Sequence, residues 1–496
     1  MQSDGSAPPP VRSGTAILKR FLHLLSAQGA EGLLSAVFLI YLARMDTVVF
    51  GEIMYAMAAG GIVMKVIQFG LYYPLVSYLG SVKKDQAPEL LSRVNVIKLG
   101  LLGPCMLTIL GTALIRGLSP RMSLILFLIC LGFAVEQIAE TYFADFRVRG
   151  LQSREARIKI AGAVLSYGYG FVTALMGFDP ILISLFKLIS GLIRLGFGMA
   201  SYLKDYAVRF LVRSKWPDVW FMFRAAMVFA FIEILGVIYN KANIFFLEKY
   251  TGVTGVAFYS ATYNVVDPIS VLASEQLLGW VVFPLLAALW SKNRDTAARL
   301  VRNSALWLMA IAFPIMFTLH VESDFIITLI YGAKFHDAVW MQHYLVWTIL
   351  LSFENNLFSY VMMVAGGAPV LFAFAAVTTI LNLVFNLTLV PSFGLAGGCL
   401  VLVLTKLVMT IMTFVYCRIR FAFVRTRDFI FPAALGLLLV GTYLLLEPVA
   451  PFRVASSIAL ALYFVILWKF GVKFLGHLSR KTDQNGKSAN NPDSPR

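Results

Sequence analysis

The sequence predicts an all-α integral membrane protein of about fourteen transmembrane helices, arranged as two pseudo-symmetric six-helix lobes plus two C-terminal helices. Three observations lead there: overall apolarity, the rhythm of apolar runs, and the placement of basic residues. Of 496 residues, 59% are hydrophobic and 14% are charged, and the mean hydropathy is +0.79, far from the balance of a soluble globular chain. A helix rises about 1.5 Å per residue and the hydrocarbon core is about 30 Å thick, so one crossing takes roughly 20 mostly apolar residues.

Runs of that kind fall at residues 21–43, 52–80, 98–115, 122–142, 160–177 and 180–203, a first group of six. A second group covers 225–247, 255–290, 304–320, 341–365, 369–390 and 395–417, and two more runs follow at 429–446 and 454–474. The organisation expected is a disordered N-terminus (1–20), an N-lobe (21–215), a C-lobe (216–420), two further helices (421–476) and a disordered tail (477–496). Both ends are polar, with Pro8, Pro9 and Pro10 in one and Ser, Asn and charged residues in the other, compositions that do not bury enough apolar surface to fold. The run at 21–43 is long enough to span and has no small-x-small site before Arg44, so it reads as a retained helix rather than a cleaved signal.

The net charge of +16 raises the question of nucleic acid, and the positions of the basic residues answer it. With the N-terminus inside, cytoplasmic loops and helix ends receive Arg147, Arg149, Arg154, Arg157 and Lys159, then Lys204, Arg209, Arg213 and Lys215, then Lys292, Arg294, Arg299 and Arg302, then Arg418, Arg420, Arg425 and Arg427. The opposite side holds Arg44, Arg116, Arg121, Lys249, Lys334 and Arg453. This asymmetry predicts that both termini are cytoplasmic, facing anionic lipid, and that the number of crossings is even. Basic residues so dispersed form no single face for nucleic acid.

An internal repeat appears at an offset of roughly 204 residues. Leu42 to Tyr55 and Leu247 to Tyr259 both run from an apolar helix through a charged outer turn into Gly-x-x-x-Tyr, at Gly51/Tyr55 and Gly255/Tyr259, and Tyr73-Pro74-Leu75 is echoed by Phe283-Pro284-Leu285. Two related lobes are a common transporter architecture for alternating access.

Four stretches then carry a family resemblance: Tyr41-Leu42-Ala43-Arg44 with Phe50-Gly51-Glu52, Gly252 through Ala261, Ile330-Tyr331-Gly332-Ala333-Lys334-Phe335, and Leu389 through Gly398 with its Pro391 and Gly394. Over most of its length the chain resembles the polysaccharide and O-antigen flippases of the multidrug/oligosaccharidyl-lipid/polysaccharide (MOP) exporter superfamily. The resemblance implies a central cavity lined by helices one, two, seven and eight, and a polyprenyl-pyrophosphate oligosaccharide as cargo, flipped across a bacterial cytoplasmic (inner) membrane for surface polysaccharide and lipopolysaccharide biosynthesis. Other polysaccharide assembly proteins are implied as partners. The chain departs from the family at Asn243, where many members carry an acidic residue, with Lys241 nearby; if that acid couples an ion, this chain uses another residue.

Charges at membrane depth cost a few kcal/mol unless paired or hydrated, so they mark candidate sites. The four helices assigned to the cavity hold Glu31, Lys65, Glu233, Lys241, Asp267 and Glu275; elsewhere lie Glu136, Glu140, Lys187, Arg194, Glu354 and Lys406. A pyrophosphate calls for cations, which nominates Lys65, Lys241 and Arg194 as substrate-binding residues. Glu31, Glu233, Asp267 and Glu275 are the candidates for H+ or Na+ coupling. Two readings stay open for both sets, since each charge can instead neutralise another and hold helices together. Pro268, after Asp267, leaves a carbonyl unpaired and permits a helix kink.

No P-loop, G-x-S-x-G or H-E-x-x-H occurs, and His23, His320, His336, His343 and His477 are dispersed, so no catalytic residue, metal site or cofactor is expected. Cys105, Cys130, Cys399 and Cys417 lie in apolar runs without a C-x-x-C pair, which suits packing. Besides the flippase, a drug or cation antiporter of the same superfamily and a membrane glycan polymerase or ligase remain as alternatives. Cations beside the carboxylates argue against the first, and short loops against the second.

Overall fold

A computed structural model of the chain describes residues 14–82, 86–206, 215–271, 278–279, 282–290, 292–422 and 429–469. Most of the expected terminal segments, and Glu275, lie outside them. Helices dominate the described residues and no strand occurs among them. In order these are α1 (Gly14–Met45), α2 (Thr47–Gln68), α3 (Tyr72–Ser81), α4 (Ala87–Ile115), α5 (Pro120–Arg149), α6 (Gln152–Leu175), α7 (Pro180–Tyr206) and α8 (Trp216–Val271). There follow α9 (Phe283–Trp290), α10 (Arg294–Val321), α11 (Ser323–Tyr331), a 3-10 turn (Ala333–Ala338), α12 (Val339–Leu345), α13 (Trp347–Val364), α14 (Ala368–Phe421), α15 (Ile430–Leu446) and α16 (Phe452–Lys469).

Nine helices among the described residues are long and apolar enough to cross a membrane. Two of them, α8 and α14, are each a pair of helices joined at a glycine, Gly252 (φ 72°, ψ −179°) and Gly394 (φ 56°, ψ −125°). Only glycine takes such angles without a Cβ clash, so the turns expected between helices seven and eight and between eleven and twelve stand where the sequence places them. With α1, α13 and α15 the helices reach the expected number of about fourteen. The side chains turned outward are apolar: Leu114, Ile115 and Leu445 are 81%, 88% and 79% exposed. A surface of this kind belongs in lipid, and the protein is a multi-pass membrane protein.

Helix ends follow local chemistry. Asp46 caps α2 by accepting from the backbone N–H groups of Val48 (2.7 Å) and Val49 (3.2 Å); Ser119 and Asn293 do the same for α5 and α10, each satisfying an orphan donor. Two expected runs are subdivided. The run at 52–80 breaks after Gln68, where Phe69 (φ 46°) and Gly70 (φ 60°) both turn left-handed, and α3 starts afresh. The run at 341–365 divides between α12 and α13. The helix carrying Pro268 continues to Val271.

The described residues form two compact units. The first lies within Met1–Ala261, Ile330–Asp337 and Ala375–Val401. One buried cluster joins α3, α4, α5 and α7 through Leu75, Leu91, Val94, Tyr142, Phe146 and Tyr202. In it the four stretches that carry the resemblance converge. Phe335 packs edge-on against Phe50 (6.0 Å) and Phe258 (5.6 Å), and Gly51 lies against the backbone of Val253 and Gly398 against Leu247. The two repeat tyrosines are both buried, Tyr55 accepting from Arg116 (2.8 Å) and Tyr259 from Asn243 (3.3 Å).

The second unit lies within Thr262–Leu329, Ala338–Phe374 and Leu402–Arg496. Its core packs Phe317 of α10 with Leu435 and Leu439 of α15 and Tyr463 of α16, and the Tyr463 hydroxyl donates to the Ala310 carbonyl at 2.6 Å.

Close helix approach in the first unit depends on small residues. A Cβ at Gly132 of α5 would stand 2.6–2.7 Å from the backbone of Lys187 and Leu188 in α7, a clash with main chain that no rotamer relieves. Gly132→Leu should therefore destabilise the protein by about 1–3 kcal/mol or more through overpacking; thermal unfolding in detergent, with unchanged stability as the contrary result, checks this.

Candidate functional site

The charges nominated from the sequence fall into separate clusters within the first unit. On α7, Lys187, Ser190 and Arg194 share one helical face by their i, i+3, i+7 spacing, and α5 presents Glu136 to all three. Lys187 Nζ donates to Glu136 Oε2 at 2.8 Å and Ser190 Oγ to Oε1 at 2.7 Å, while Arg194 Nε stands 3.7 Å from Oε1. Arg194 Nη2 also donates to Glu31 of α1. The Arg194 side chain is 7% exposed. Two cations and two carboxylates thus neutralise one another, and the sequence-nominated Arg194 and Glu31 form an ion pair. Glu136 and Lys187 were charges at membrane depth in the sequence but went unselected; the shared face of Lys187 and Arg194 was the signal for them.

Lys65 of α2 is placed differently. Its Nζ lies 3.4 Å from Glu233 Oε2 of α8 and 3.2 Å from Gln68 Oε1, and the two charged side chains are 27% and 14% exposed. Two further nominated residues therefore meet, at longer range and with more of each side chain exposed than in the Lys187–Glu136 pair. Lys241 sits half-buried on α8, two positions before Asn243, so the two point to different faces of the helix.

Asn243 occupies the position of the expected acid and is the centre of a buried amide network. It donates to the Gly398 carbonyl (3.0 Å) and the Tyr259 hydroxyl (3.3 Å), and its own Oδ1 accepts from Asn386 (2.9 Å) and Asn382 (3.4 Å). All three asparagines are 0–1% exposed. The site is built from neutral dipoles, and the i, i+4 spacing of Asn382 and Asn386 was its trace in the sequence.

Where α5 ends and α6 begins, Arg147 and Lys159 bind Glu140 and Glu155. Arg147 reaches Glu140 at 2.7 Å, and Lys159 reaches Glu140 at 2.6 Å and Glu155 at 3.0 Å. Arg154 pairs with Asp205 at 2.6 Å. Three members of that basic cluster therefore brace helices. Four of the six cations expected on the opposite side are anchored as well: Arg116 on Glu248 (2.6 Å), Arg121 on Glu52 (2.7 Å), and Arg44 and Lys334 on the carbonyls of Ile330 (2.9 Å) and Met45 (3.2 Å). In the second unit Asp267 accepts from Tyr263 at 2.8 Å, one turn earlier on its own helix.

Breaking a buried ion pair by removing one partner costs about 3–5 kcal/mol, because the other charge is stranded. Lys187→Met should accordingly lower stability by a few kcal/mol, and adding Glu136→Gln should restore part of it. A double-mutant cycle from thermal unfolding, with strictly additive losses as the contrary result, tests the coupling.

Comparison with known proteins places these clusters in context. Searching curated protein sequences returns no match. Among solved structures, the fold is similar to that of "Lipid II flippase MurJ, inward closed conformation", with a TM-score of 0.68 at 12% identity over 92% of this chain and 100% of that one. It is also similar to an inward-facing MATE family multidrug resistance transporter of the MOP superfamily (TM-score 0.58, 15% identity, 79% and 94% covered) and to a MOP superfamily transporter from Pyrococcus furiosus (0.55, 14%, 82% and 95%). At these identities the likeness is one of fold. The family described as "Polysaccharide biosynthesis protein" matches residues 42–340, more than half of the sequence, and the chain belongs to that family.

Proposed function

We propose that the protein is a flippase that moves a polyprenyl-pyrophosphate-linked oligosaccharide across the bacterial cytoplasmic membrane by alternating access, in the synthesis of surface polysaccharide. The lobes 21–215 and 216–420 are the moving parts in this reading, both termini are cytoplasmic, and the polyprenyl tail stays in lipid. The family supports the polysaccharide pathway, and the fold supports transport.

The observation that carries the cargo assignment is the contrast between the nominated cations. Arg194 is held by two carboxylates in a buried cluster, which suits a brace. Lys65 shares one carboxylate at 3.4 Å while more than a quarter of its side chain is exposed. A single contact at 3.4 Å is long for a charge-assisted pair, and a charge-assisted hydrogen bond at shorter range contributes about 1.5–3 kcal/mol. A pyrophosphate oxygen can therefore take Lys65 from Glu233. Lys65, with Lys241 on the neighbouring stretch of α8, is assigned to the pyrophosphate, and Glu233 to the counter-charge that holds Lys65 between cargoes.

The MATE-like fold favours a second reading, a drug or cation antiporter. A cationic cargo would be repelled by Lys65 and Lys241, so the lipid-linked glycan is the better fit. An H+ or Na+ gradient as the driving force belongs to either reading.

At equal membrane abundance, Lys65→Ala and Lys241→Ala should each lower glycan export about tenfold, the loss of one charge-assisted contact, and Lys65→Arg should retain most of it. Full export by both alanine variants overturns the phosphate role. Glu233→Gln separates the readings further: it should preserve export if Lys65 holds cargo, and match Lys65→Ala if the pair merely braces helices. In vesicles, dissipating the H+ and Na+ gradients is expected to slow flipping, and a rate indifferent to both would remove ion coupling.

A further inference from the structure

Five carboxylates are buried among the described residues: Glu52, Glu136, Asp145, Glu155 and Glu354. Four have a basic partner, respectively Arg121, Lys187, Arg149 and both Arg147 and Lys159. Glu354, at 7% exposure, has none: neither of its oxygens finds a hydrogen-bond partner among the described residues. It lies in the middle of α13, in the second unit, on a buried face made of Ile349, Phe353, Leu357, Phe358 and Val361.

The titratable groups around it are few. From α14, Lys406 Nζ donates to Ser352 Oγ at 2.8 Å, and Cys417 lies against the Phe358 carbonyl. On α10, Arg294, Asp295, Arg299 and Arg302 occupy the first turns and His320 the last. α9 carries no titratable side chain, and His343 of α12 is hydrogen-bonded to Ser323 at 2.7 Å. Tyr360 lies on α13 itself. None of them makes an ion pair or hydrogen bond with Glu354.

An isolated ionised carboxylate in such surroundings is strongly unfavourable, and the group escapes that cost by taking a proton. A hard metal cation instead calls for several converging oxygen ligands, and among the described residues no group of three or more His, Cys, Asp or Glu side chains comes together to hold one. A dry carboxyl on a helix seam, with a lysine reaching Ser352 two residues away, suits a group that is neutral in one state and charged in another. We infer that Glu354 is a proton-binding site of the transport cycle, neutral in the conformation described here. It releases its proton to water when α13 is opened to solvent, and the remaining carboxylate is then balanced by Lys406 on the same seam. The place of this step in transport rests on the flippase reading; the protonation itself does not.

The test uses the full chain in lipid nanodiscs. Infrared difference spectra of the wild type against Glu354→Gln should show, at neutral pH, a protonated-carboxyl C=O stretch that the variant lacks and that exchanging K+ for Na+ leaves unmoved. No difference in the protonated-carboxyl region, with loss of carboxylate stretches in the variant instead, would mean that Glu354 is ionised and would overturn the inference, as would a band that vanishes in Na+. Glu354→Gln reproduces the neutral carboxyl in shape, so it should fold with the thermal stability of the wild type. In vesicles it should lose most of the acceleration that a pH gradient gives the wild type, while Lys65→Ala should lower the rate with or without the gradient. If the wild type moves no lipid-linked glycan, the cargo reading fails and the infrared result still stands. If flipping proceeds but the band is absent, the proton site alone fails.

Discussion

A charge drawn below the membrane surface must meet an opposite charge or a set of dipoles, and much of this fold is an answer to that requirement. Glu136 is met by Lys187, Ser190 and Arg194, all projecting from one face of α7. Glu140 and Glu155 are met by Arg147 and Lys159 across the α5–α6 turn. Each group fixes the rotation of its helix, because turning α7 by a single residue would withdraw its cations from Glu136. Apolar packing supplies no such direction in lipid, where the hydrocarbon outside resembles the side chains inside.

Small residues make these pairings possible. Gly132 brings the backbones of α5 and α7 so close that a Cβ would clash, and that proximity lets Lys187 span to Glu136 at 2.8 Å. The amide cluster around Asn243 solves the same problem without charge, by linking α8 and α14 through neutral donors and acceptors. That cluster closes without any charged side chain.

The clusters differ in how tightly they hold their cations, and this difference bears on function. A buried four-charge group such as that of Arg194 strands a charge whenever one member leaves, so it resists exchange. The Lys65–Glu233 pair, a single contact at 3.4 Å between more exposed side chains, is held less tightly. Glu354 lies at the other extreme, with no partner at all among the described residues. One chain thus contains charges that are locked, loosely paired and, among the described residues, unpaired, and the proposed division into bracing, cargo binding and proton carriage rests on that contrast.

By itself the sequence determined the membrane class, the approximate number of helices, and the breaks at Gly252 and Gly394. Apolar run length and a left-handed glycine are local properties, set by the residues in one stretch of chain. The family was legible for the same reason, in short motifs whose spacing survives without contacts. What only the tertiary structure decided was the partner of each charge. Lys65 and Glu233 are 168 residues apart, and Arg194 and Glu31 are 163, so no periodicity relates them. The break at Phe69 and Gly70 and the central place of Asn243 likewise came from helix packing. Whether a charge at membrane depth is a brace or a binding group depends on what faces it across a helix interface, and a linear sequence records which residues are charged but not which of them meet.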